Sequence, residues 1–260
     1  MTIRPGLCSV TFRQLDPAAI SALAASAGLQ AIEWGGDVHV PPGDAARAAE
    51  VARITADAGL AVASYGSYFR ADAAEDIAPI LDSAAALGAD RIRVWAGRIG
   101  SADATVAERA ATIDALASAA EQAGRRGISL ALEFHGRTLA DDAEQTLRVL
   151  DDVASPHLST YWQPTVAASA AAAVAEYARI ADRVSAVHVF SWWPATERLP
   201  LTARDGLWRA FFAAAAAAPA PPSDALLEFV PDDDPAALAA EAVALRGYLS
   251  AGMSRTMLGA

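Results

Sequence analysis

The chain carries at its centre the stretch Ser129-Leu130-Ala131-Leu132-Glu133-Phe134-His135, which decides its fold class. This short apolar run has the composition of a β-strand, and long amphipathic segments, many of them rich in alanine, alternate with runs of this kind. The alternation recurs about eight times along the 260 residues. Strands and helices that alternate at these lengths indicate βαβ units and a parallel sheet. The sequence therefore predicts an α/β fold in which eight such units close into one barrel.

No linker or shift in composition divides the chain, so we expect residues 1–260 to form a single domain, a (β/α)8 TIM barrel. The helices have clear start and stop signals: Asp16-Pro17 opens the first and Gly28 ends it. Asp103 opens the fourth, and Asp234-Pro235 opens the last, which ends at Gly247. No G-x-G-x-x-G motif follows the first strand, which argues against a dinucleotide-binding fold. The predicted strands are Leu7–Phe12, Ala31–Trp34, Ala61–Tyr65, Arg91–Trp95, Ser129–Phe134, Leu158–Trp162, Ser185–Phe190 and Ala225–Phe229.

The charge composition excludes several chemistries. All 20 basic residues are arginine, and 31 acidic residues give a formal net charge of −11. A chain without lysine cannot form a lysine Schiff base, nor can it supply the lysine of a phosphate-binding P-loop. An acidic chain is also a poor partner for DNA or RNA, because neutralising phosphates requires a basic face. We therefore expect a small-molecule ligand and no nucleic acid.

The cysteine count and the hydropathy indicate a compartment. The single cysteine, Cys8, excludes an intrachain disulfide and is predicted to be a packing residue. No secretory signal opens the chain, and no apolar stretch reaches about 18 residues. We expect a cytoplasmic protein without a membrane partner, and the alanine-rich outer helices could support a homodimer.

Polar residues end four successive predicted strands, where the active site of such a barrel lies. Strands five to eight end in Glu133, Gln163, His188 and Glu228, and each of these side chains offers a donor that a divalent metal accepts. A glutamate between bulky apolar neighbours is costly to bury unless it is paired or bound to a metal. Each residue alone has an ordinary structural interpretation, such as a pair with an arginine. Together, the four predict a metal site.

Several motifs resemble those of the xylose isomerase-like TIM barrels, a family that includes sugar phosphate isomerases and epimerases and the AP endonucleases. The resemblance spans essentially the whole chain and implies a metal bound by strands five to eight, at Glu133, Gln163, His188 and Glu228. In the ketose epimerase branch it also implies that the two glutamates exchange protons with the sugar carbon and that the arginine of Arg198-Leu199-Pro200 contacts the sugar. The motifs are Ile32-Glu33-Trp34, Ile92-Arg93-Val94-Trp95-Ala96-Gly97, Leu130-Ala131-Leu132-Glu133, Tyr161-Trp162-Gln163-Pro164, Val187-His188-Val189-Phe190 and Leu227-Glu228-Phe229.

Two departures from the family pattern bear on function. Gln163 stands where the family usually has aspartate, and a neutral amide should lower the affinity for a metal. Thr165-Val166 replaces the histidine or asparagine that often follows that position. The endonuclease branch needs three zinc ions and a basic DNA face, so four histidines and a charge of −11 argue against it.

The residues predicted to contact substrate lie at or just after strand ends. Aromatic rings suit the apolar C–H faces of a sugar, although some of them could equally plug the barrel mouth. Arg98 and Arg137 could meet an anion, although a surface ion pair is the more ordinary role. The run Asp232-Asp233-Asp234 after strand eight should repel phosphate, so we expect an unphosphorylated substrate. The predicted contacts are Trp34, His39, Trp95, His135, Trp162, Trp192 and Arg198.

The leading hypothesis is an isomerase or epimerase that depends on one divalent metal ion, Mn, Mg, Co or Zn. It would act on a small unphosphorylated sugar or polyol ketone by proton transfer through a cis-enediolate, with Glu133 and Glu228 as the catalytic residues. A dehydratase or lyase of a cyclic polyol ketone would use the same metal site. The third hypothesis is a non-catalytic sugar-binding barrel, which the glutamine at position 163 favours.

Overall fold

Eight parallel strands close into one barrel in the computed structural model, which describes residues 3–72 and 74–258. Strand β1 pairs with both β2 and β8, and every other strand pairs with its neighbours in chain order, which closes the sheet. This arrangement confirms the predicted (β/α)8 barrel. In chain order, β1 to β8 are Arg4–Cys8, Ala31–Gly35, Ala61–Gly66, Arg91–Val94, Ser129–Leu132, Leu158–Trp162, Val184–Val189 and Asp224–Leu227.

A helix follows each strand and packs on the outside of the barrel. Polar caps set where several helices begin: the Asp16 carboxylate accepts from the Ala19 amide at 2.8 Å, and Thr105 and Glu108 form a reciprocal capping box. None of these helices is long and apolar enough to cross a membrane within the described ranges. Helices α1 to α8 are Pro17–Ser26, Ala45–Asp57, Ala78–Leu87, Val106–Gly124, Ala143–Val153, Ala170–Ile180, Asp205–Ala217 and Leu238–Leu258.

Several element boundaries differ from those predicted, and the differences are largest for β1, α4 and α8. Strand β1 ends at Cys8, and residues 9–12 form a 3-10 helix because the Ser9 hydroxyl, rather than its backbone, accepts from the Gly35 amide at 2.8 Å. Helix α4 begins after Thr105 instead of at Asp103, where the capping box places it. Helix α8 begins after a short 3-10 turn and runs through Gly247, so that glycine does not end it.

The connection from β7 to α7 contains a small ribbon. Its two antiparallel strands are Ser191–Trp192 and Arg198–Leu199, and a 3-10 helix over Leu201–Arg204 follows. The ribbon extends the chain beyond the C-terminal end of β7, which is the end where barrel enzymes place their active sites. The predicted sugar-contacting residues Trp192 and Arg198 therefore lie opposite each other on one piece of structure.

Small residues fill the middle of the barrel interior and leave room for long polar side chains at both ends. The apolar interior cluster includes four alanines, from β2, β3, β5 and β7, together with Tyr161 and Leu226. At the N-terminal end, the Arg91 guanidinium binds Asp224 at 2.6 Å and the Tyr161 hydroxyl at 3.0 Å. The C-terminal end holds the charged side chains described next.

Candidate active site

The C-terminal mouth of the barrel forms a cavity of about 580 Å³. Its floor includes Glu133, Gln163 and Glu228, three of the four predicted metal ligands, which directly follow or lie just beyond β5, β6 and β8. We call this space the active-site cavity. Its wall combines charged, aromatic and apolar groups: Val10, Arg13, Tyr68, Arg93, Trp95, Phe134, His135, Gly136, Arg137, Asp141, Pro164, Thr165, Val166, Phe190, Trp192 and Phe229.

The fourth predicted ligand, His188, is fully buried beneath this floor. Its Nδ1 atom lies 3.2 Å from Gln163 Oε1 and 3.4 Å from Glu228 Oε2. Strand alternation explains the convergence, since β7 and β8 are paired neighbours and the three side chains share the inward phase of their strands. The structure therefore brings together three of the four predicted donors.

Glu133 has a different partner. Its carboxylate accepts a hydrogen bond from the Arg93 guanidinium, which comes from the neighbouring strand β4. Arg93 Nε also lies 3.4 Å from Glu33 Oε1, and all three side chains are almost completely buried. Arg93 thus links two carboxylates inside the barrel.

Glu33 connects this pair to the histidine. Its Oε1 lies 3.4 Å from His188 Nε2, and its Oε2 accepts from the Ser64 hydroxyl at 2.7 Å. The five side chains of Glu33, Arg93, Glu133, His188 and Glu228 form one continuous set of charged contacts, which we call the buried network. It joins residues that lie in or directly after five of the eight strands.

Glu33 and Arg93 were missed as site residues by the sequence analysis, although their motifs were noted. Each stands between apolar residues in a strand, Ile32 and Trp34 in one case and Ile92 and Val94 in the other. A charged side chain between apolar residues of a strand needs a partner, and this holds for Glu33 and Arg93 as it does for Glu133. That signal would have found both residues.

The contacts in the buried network and its burial shift the pKa values of four of its side chains. Burial lowers the pKa of Arg93, but Glu133 and Glu33 raise it further, well above its ordinary value. Burial likewise opposes ionisation of Glu33, yet His188 and Arg93 bring its pKa below the ordinary range. The pKa of His188 is raised in spite of burial, because Glu228 and Glu33 favour the imidazolium. Burial, assisted by the charge of Glu133, raises the pKa of Glu228.

This donor set fits a divalent cation. Ligands on adjacent corners of an octahedron around Mg²⁺ lie about 3 Å apart, close to the separations of 3.2 and 3.4 Å between Nδ1 of His188 and its two neighbours. Three carboxylates face one arginine and one histidine in the buried network, and a divalent ion would supply positive charge in place of the proton on His188. The second nitrogen of His188 faces Glu33, as metal-bound histidines generally face a carboxylate.

A second grouping of ligand-type atoms involves Cys8. Its thiol lies with Glu33 and His188 so that one ligand atom from each falls within 4.8 Å of the others, the only such trio of His, Cys, Asp or Glu among the described residues. Burial raises the pKa of the Cys8 thiol well above its ordinary value, and Glu33 adds to the effect. Cys8 also belongs to the apolar interior cluster. This placement favours the packing role predicted for it.

Three of the predicted substrate-contacting residues line the active-site cavity: Trp95, His135 and Trp192. The rings of Trp95 and His135 lie 4.4 Å apart, and Trp192 packs near Phe229 at 5.4 Å. The indole N–H groups of both tryptophans have no hydrogen-bond partner in the part of the chain that the structure describes. Both nitrogen atoms are themselves buried, so the two N–H groups do not face open space in the cavity.

Trp34, Trp162 and His39 lie elsewhere, and the structure corrects their predicted role. Trp34 points outward, fully buried, and donates to the Thr55 hydroxyl of α2 at 3.0 Å. Trp162 is also buried and stacks on Phe211 of α7 at 4.5 Å. Both tryptophans follow an inward residue by one position, so the twofold alternation of a strand turns them to the helices.

His39 is held behind the site by two hydrogen-bonding contacts, from Nδ1 to the Ser9 hydroxyl at 3.0 Å and from Nε2 to the Leu15 carbonyl at 3.2 Å. Both ring nitrogens are therefore occupied, and the side chain is 2% exposed. It lies outside the active-site cavity, so its position does not support the predicted contact with a hydroxyl group.

Arg198 and the acidic run after β8 bind each other. The Arg198 guanidinium pairs with Asp233 and lies 4.4 Å from the centre of the Phe229 ring. Arg198 therefore stands behind two aromatic residues of the cavity wall rather than in the wall itself. None of the three aspartates at 232–234 belongs to that wall.

The chain was compared with protein-family models and with known proteins. A family model described as xylose isomerase-like TIM barrel matches residues 21–246. No curated protein matches the chain significantly by sequence.

Solved structures share the fold at low sequence identity. An L-ribulose 3-epimerase is 20% identical with a TM-score of 0.72, and the match covers 99% of this chain and 97% of that one. The probable 3-DHS dehydratase AsbF of Bacillus anthracis is 18% identical with a TM-score of 0.71, over 95% and 99% of the two chains. A xylose isomerase-like TIM barrel protein of Mycobacterium smegmatis, solved in complex with magnesium, is 14% identical with a TM-score of 0.71, over 97% and 98%.

Proposed function

Because this chain belongs to the xylose isomerase-like TIM barrel family, we propose that it is a divalent-metal-dependent isomerase or epimerase of a small sugar or polyol ketone. The observation that carries the proposal is the placement of two glutamates, Glu133 and Glu228, in one cavity with Gln163 between them in strand order and His188 beneath. A fold alone does not determine a reaction, whereas these side chains limit the chemistry that the cavity can support.

The metal would be held by Gln163 Oε1, His188 Nδ1 and the carboxylate of Glu228, with Glu133 completing the set. Such an ion, when bound, polarises a carbonyl and makes the neighbouring C–H group more acidic. Gln163 adds no negative charge, so we expect weaker metal affinity than an aspartate would give. Glu33 supports the set from behind by holding the other nitrogen of His188.

The proton chemistry would be carried by the two glutamates. One carboxylate removes the proton from the substrate carbon, and the other, or the same one, returns it. Arg93 would orient Glu133 through its hydrogen bond to Oε2 of the carboxylate. The aromatic rings of Trp95 and Trp192, which line the cavity, would pack on the apolar C–H faces of the substrate.

The test is exchange of substrate protons with deuterated solvent, followed by NMR across a panel of ketoses, with and without Mn²⁺, Mg²⁺, Co²⁺ or Zn²⁺. We expect metal-dependent exchange that falls by about 100-fold or more in Glu133→Gln and in Glu228→Gln. Glu50→Gln is the matched control, since Glu50 lies exposed on α2 and pairs with Arg47 far from the cavity. Undiminished exchange in both cavity variants would disprove the mechanism.

Two other outcomes have their own readouts. A product lighter than the substrate by one water would assign a dehydratase that uses the same cavity. Ligand-induced thermal stabilisation that survives chelation, without turnover of any ketose, would assign a sugar-binding barrel. The contact between His188 Nδ1 and Gln163 Oε1 favours this last outcome, because it gives the amide oxygen a hydrogen-bonding partner without a metal.

A further inference from the structure

A second cavity adjoins the active-site cavity, and its lining is basic. It has a volume of about 320 Å³ and shares part of its wall, Trp95, His135, Gly136 and Arg137, with the active-site cavity. Its two remaining lining residues are Arg70 and Arg98. Three arginines therefore line this space, which we call the arginine annex, and no acidic residue of the described ranges lines it.

Two of these three arginines have no ionic partner within residues 3–72 and 74–258. Arg98 pairs with Glu75 at 2.7 Å, whereas Arg70 and Arg137 form no ion pair, and their guanidinium groups donate no hydrogen bond to any described residue. Every other arginine whose side chain the structure describes binds a carboxylate or a backbone carbonyl. Arg70 and Arg137, which have no ionic partner among the described residues, thus line the same space beside the candidate active site.

A shortage of carboxylates does not explain this. Acidic residues outnumber arginines by 31 to 20 in the chain, and surface helices carry many arginine–carboxylate pairs. An arginine left without a partner in so acidic a chain leaves its donors available to a ligand. Arg98 adds positive charge nearby, and it helps to lower the pKa of Arg70 in addition to the larger effect of burial.

The orientation of Arg70 suits binding. Its guanidinium carbon lies 3.8 Å from the centre of the Trp95 ring, so the aromatic face holds the planar group in place. A guanidinium stacked in this way keeps its edge free to bind the two oxygens of a carboxylate or phosphate. Trp95 also lines the active-site cavity and lies 4.4 Å from His135, so it joins the two spaces.

We propose that the arginine annex binds an anionic oxygen group, a carboxylate or a phosphate, carried by the polyol ketone substrate. The inference rests on the proposed function, since the reacting end of the same molecule would lie between Glu133 and Glu228. It replaces the expectation of a neutral sugar, which depended on the aspartates at 232–234. Those aspartates lie outside both cavity walls, and one of them is paired with Arg198.

The test compares matched ligands on wild type and on the double variant Arg70→Gln/Arg137→Gln. The panel consists of ketohexoses, the corresponding ketohexuronates and the corresponding 6-phosphates, and dissociation constants come from thermal shift and calorimetric titration. We expect an anionic series to bind wild type more tightly than the neutral series, and the double variant to lose about tenfold or more of that binding. Whether the uronates or the phosphates bind more tightly identifies the anion.

Arg53→Gln is the matched control, because it removes one exposed arginine from α2 and should leave every dissociation constant unchanged. The double variant should unfold at the wild-type temperature without ligand, since neither guanidinium donates a hydrogen bond to a described residue. The proposal is wrong if neutral ketoses bind as tightly as both anionic series, if no anionic ligand binds, or if the double variant binds anions as well as wild type.

Failure of this inference differs from failure of the proposed function. Metal-dependent solvent exchange, together with anion binding that is equal in wild type and the double variant, would support the isomerase and contradict the proposed role of the arginine annex. Arginine-dependent binding of anions without any solvent exchange would support the proposed anion site and contradict the proposed isomerase activity.

Discussion

At the scale of single residues, the candidate site depends on charged side chains that hold one another. Arg93 contacts Glu33 and Glu133, and Glu33 in turn contacts His188. Removing one member of a buried ionic set leaves an uncompensated charge, which is more damaging than the loss of an exposed pair. The residues that position the site are therefore as sensitive to substitution as the predicted ligands.

Gly66 provides the space in which Glu33 and Arg93 meet. A Cβ atom at this position would lie 2.9 Å from Glu33 Oε1 and 3.2 Å from Arg93 Nη2. We predict that Gly66→Ala destabilises the protein by about 1–3 kcal/mol, because the buried pair must shift to admit a methyl group. Urea unfolding measures the change in the free energy of unfolding.

Gly206 supplies the control for that substitution. It lies in α7, and a Cβ atom added there would have no neighbouring heavy atom within 4 Å, so Gly206→Ala should be neutral or stabilise by up to about 1 kcal/mol. Equal free energies of unfolding for the two variants would show that Gly66 has no special role.

At the scale of elements, the alternation of strands and the caps of helices were readable in the sequence, and the element ends were less so. The twofold alternation of strand residues correctly predicted that Glu133 and His188 point into the barrel. The same alternation makes Trp34 and Trp162, which each follow an inward residue, point toward the helices. The two tryptophans were predicted to contact substrate because they lie at strand ends, and that prediction did not consider whether their side chains point into or out of the barrel. Helix α8 passes Gly247 because a glycine alone does not end a helix.

Helix α8 also anchors the β7–α7 connection through Glu241. Its Oε2 accepts from the buried Leu201 amide at 2.8 Å, at the start of the 3-10 helix that follows the ribbon. Burial raises the pKa of Glu241, against the smaller opposite effect of the Leu201 amide. The folded state therefore favours the protonated carboxyl, and the associated stability is present at acid pH and lost as the pH rises through the raised pKa.

We predict opposite effects for two substitutions of Glu241 at pH 7. Glu241→Gln keeps an acceptor for Leu201 but removes the ionisable group, so it should stabilise at pH 7 and match wild type near pH 4. Glu241→Ala leaves the Leu201 amide unsatisfied and should destabilise by about 1–3 kcal/mol at both pH values. Thermal unfolding at the two pH values distinguishes them, and a Gln variant that is less stable than wild type at pH 7 would contradict the assigned role of burial.

At the scale of the whole molecule, one side chain links several strands at the N-terminal end of the barrel. Arg91 on β4 binds Asp224 on β8, the Tyr161 hydroxyl on β6 and the backbone carbonyls of Ala63 and Ser185 on β3 and β7. The interior alanines give it the room to cross. This group belongs to the end of the barrel that serves stability rather than chemistry.

We predict that Asp224→Asn destabilises the protein by about 3–5 kcal/mol, because Arg91 is left buried without a counter-charge. Arg53→Gln, which breaks an exposed pair with Asp57, should cost no more than about 1 kcal/mol. Urea unfolding of both variants provides the comparison, and similar losses would show that burial does not set the strength of the Arg91–Asp224 pair.

The sequence by itself determined the barrel and the strand ends that supply Glu133, Gln163, His188 and Glu228. It could do so because strand periodicity and helix caps are local properties, encoded within about ten neighbouring residues. Only the tertiary structure decided that Arg93 binds Glu133, that Glu33 stands behind His188, and that Arg70 and Arg137 face one cavity without ionic partners among the described residues. Those relations join residues from different strands and loops, and they exist only once the sheet has closed with a particular register.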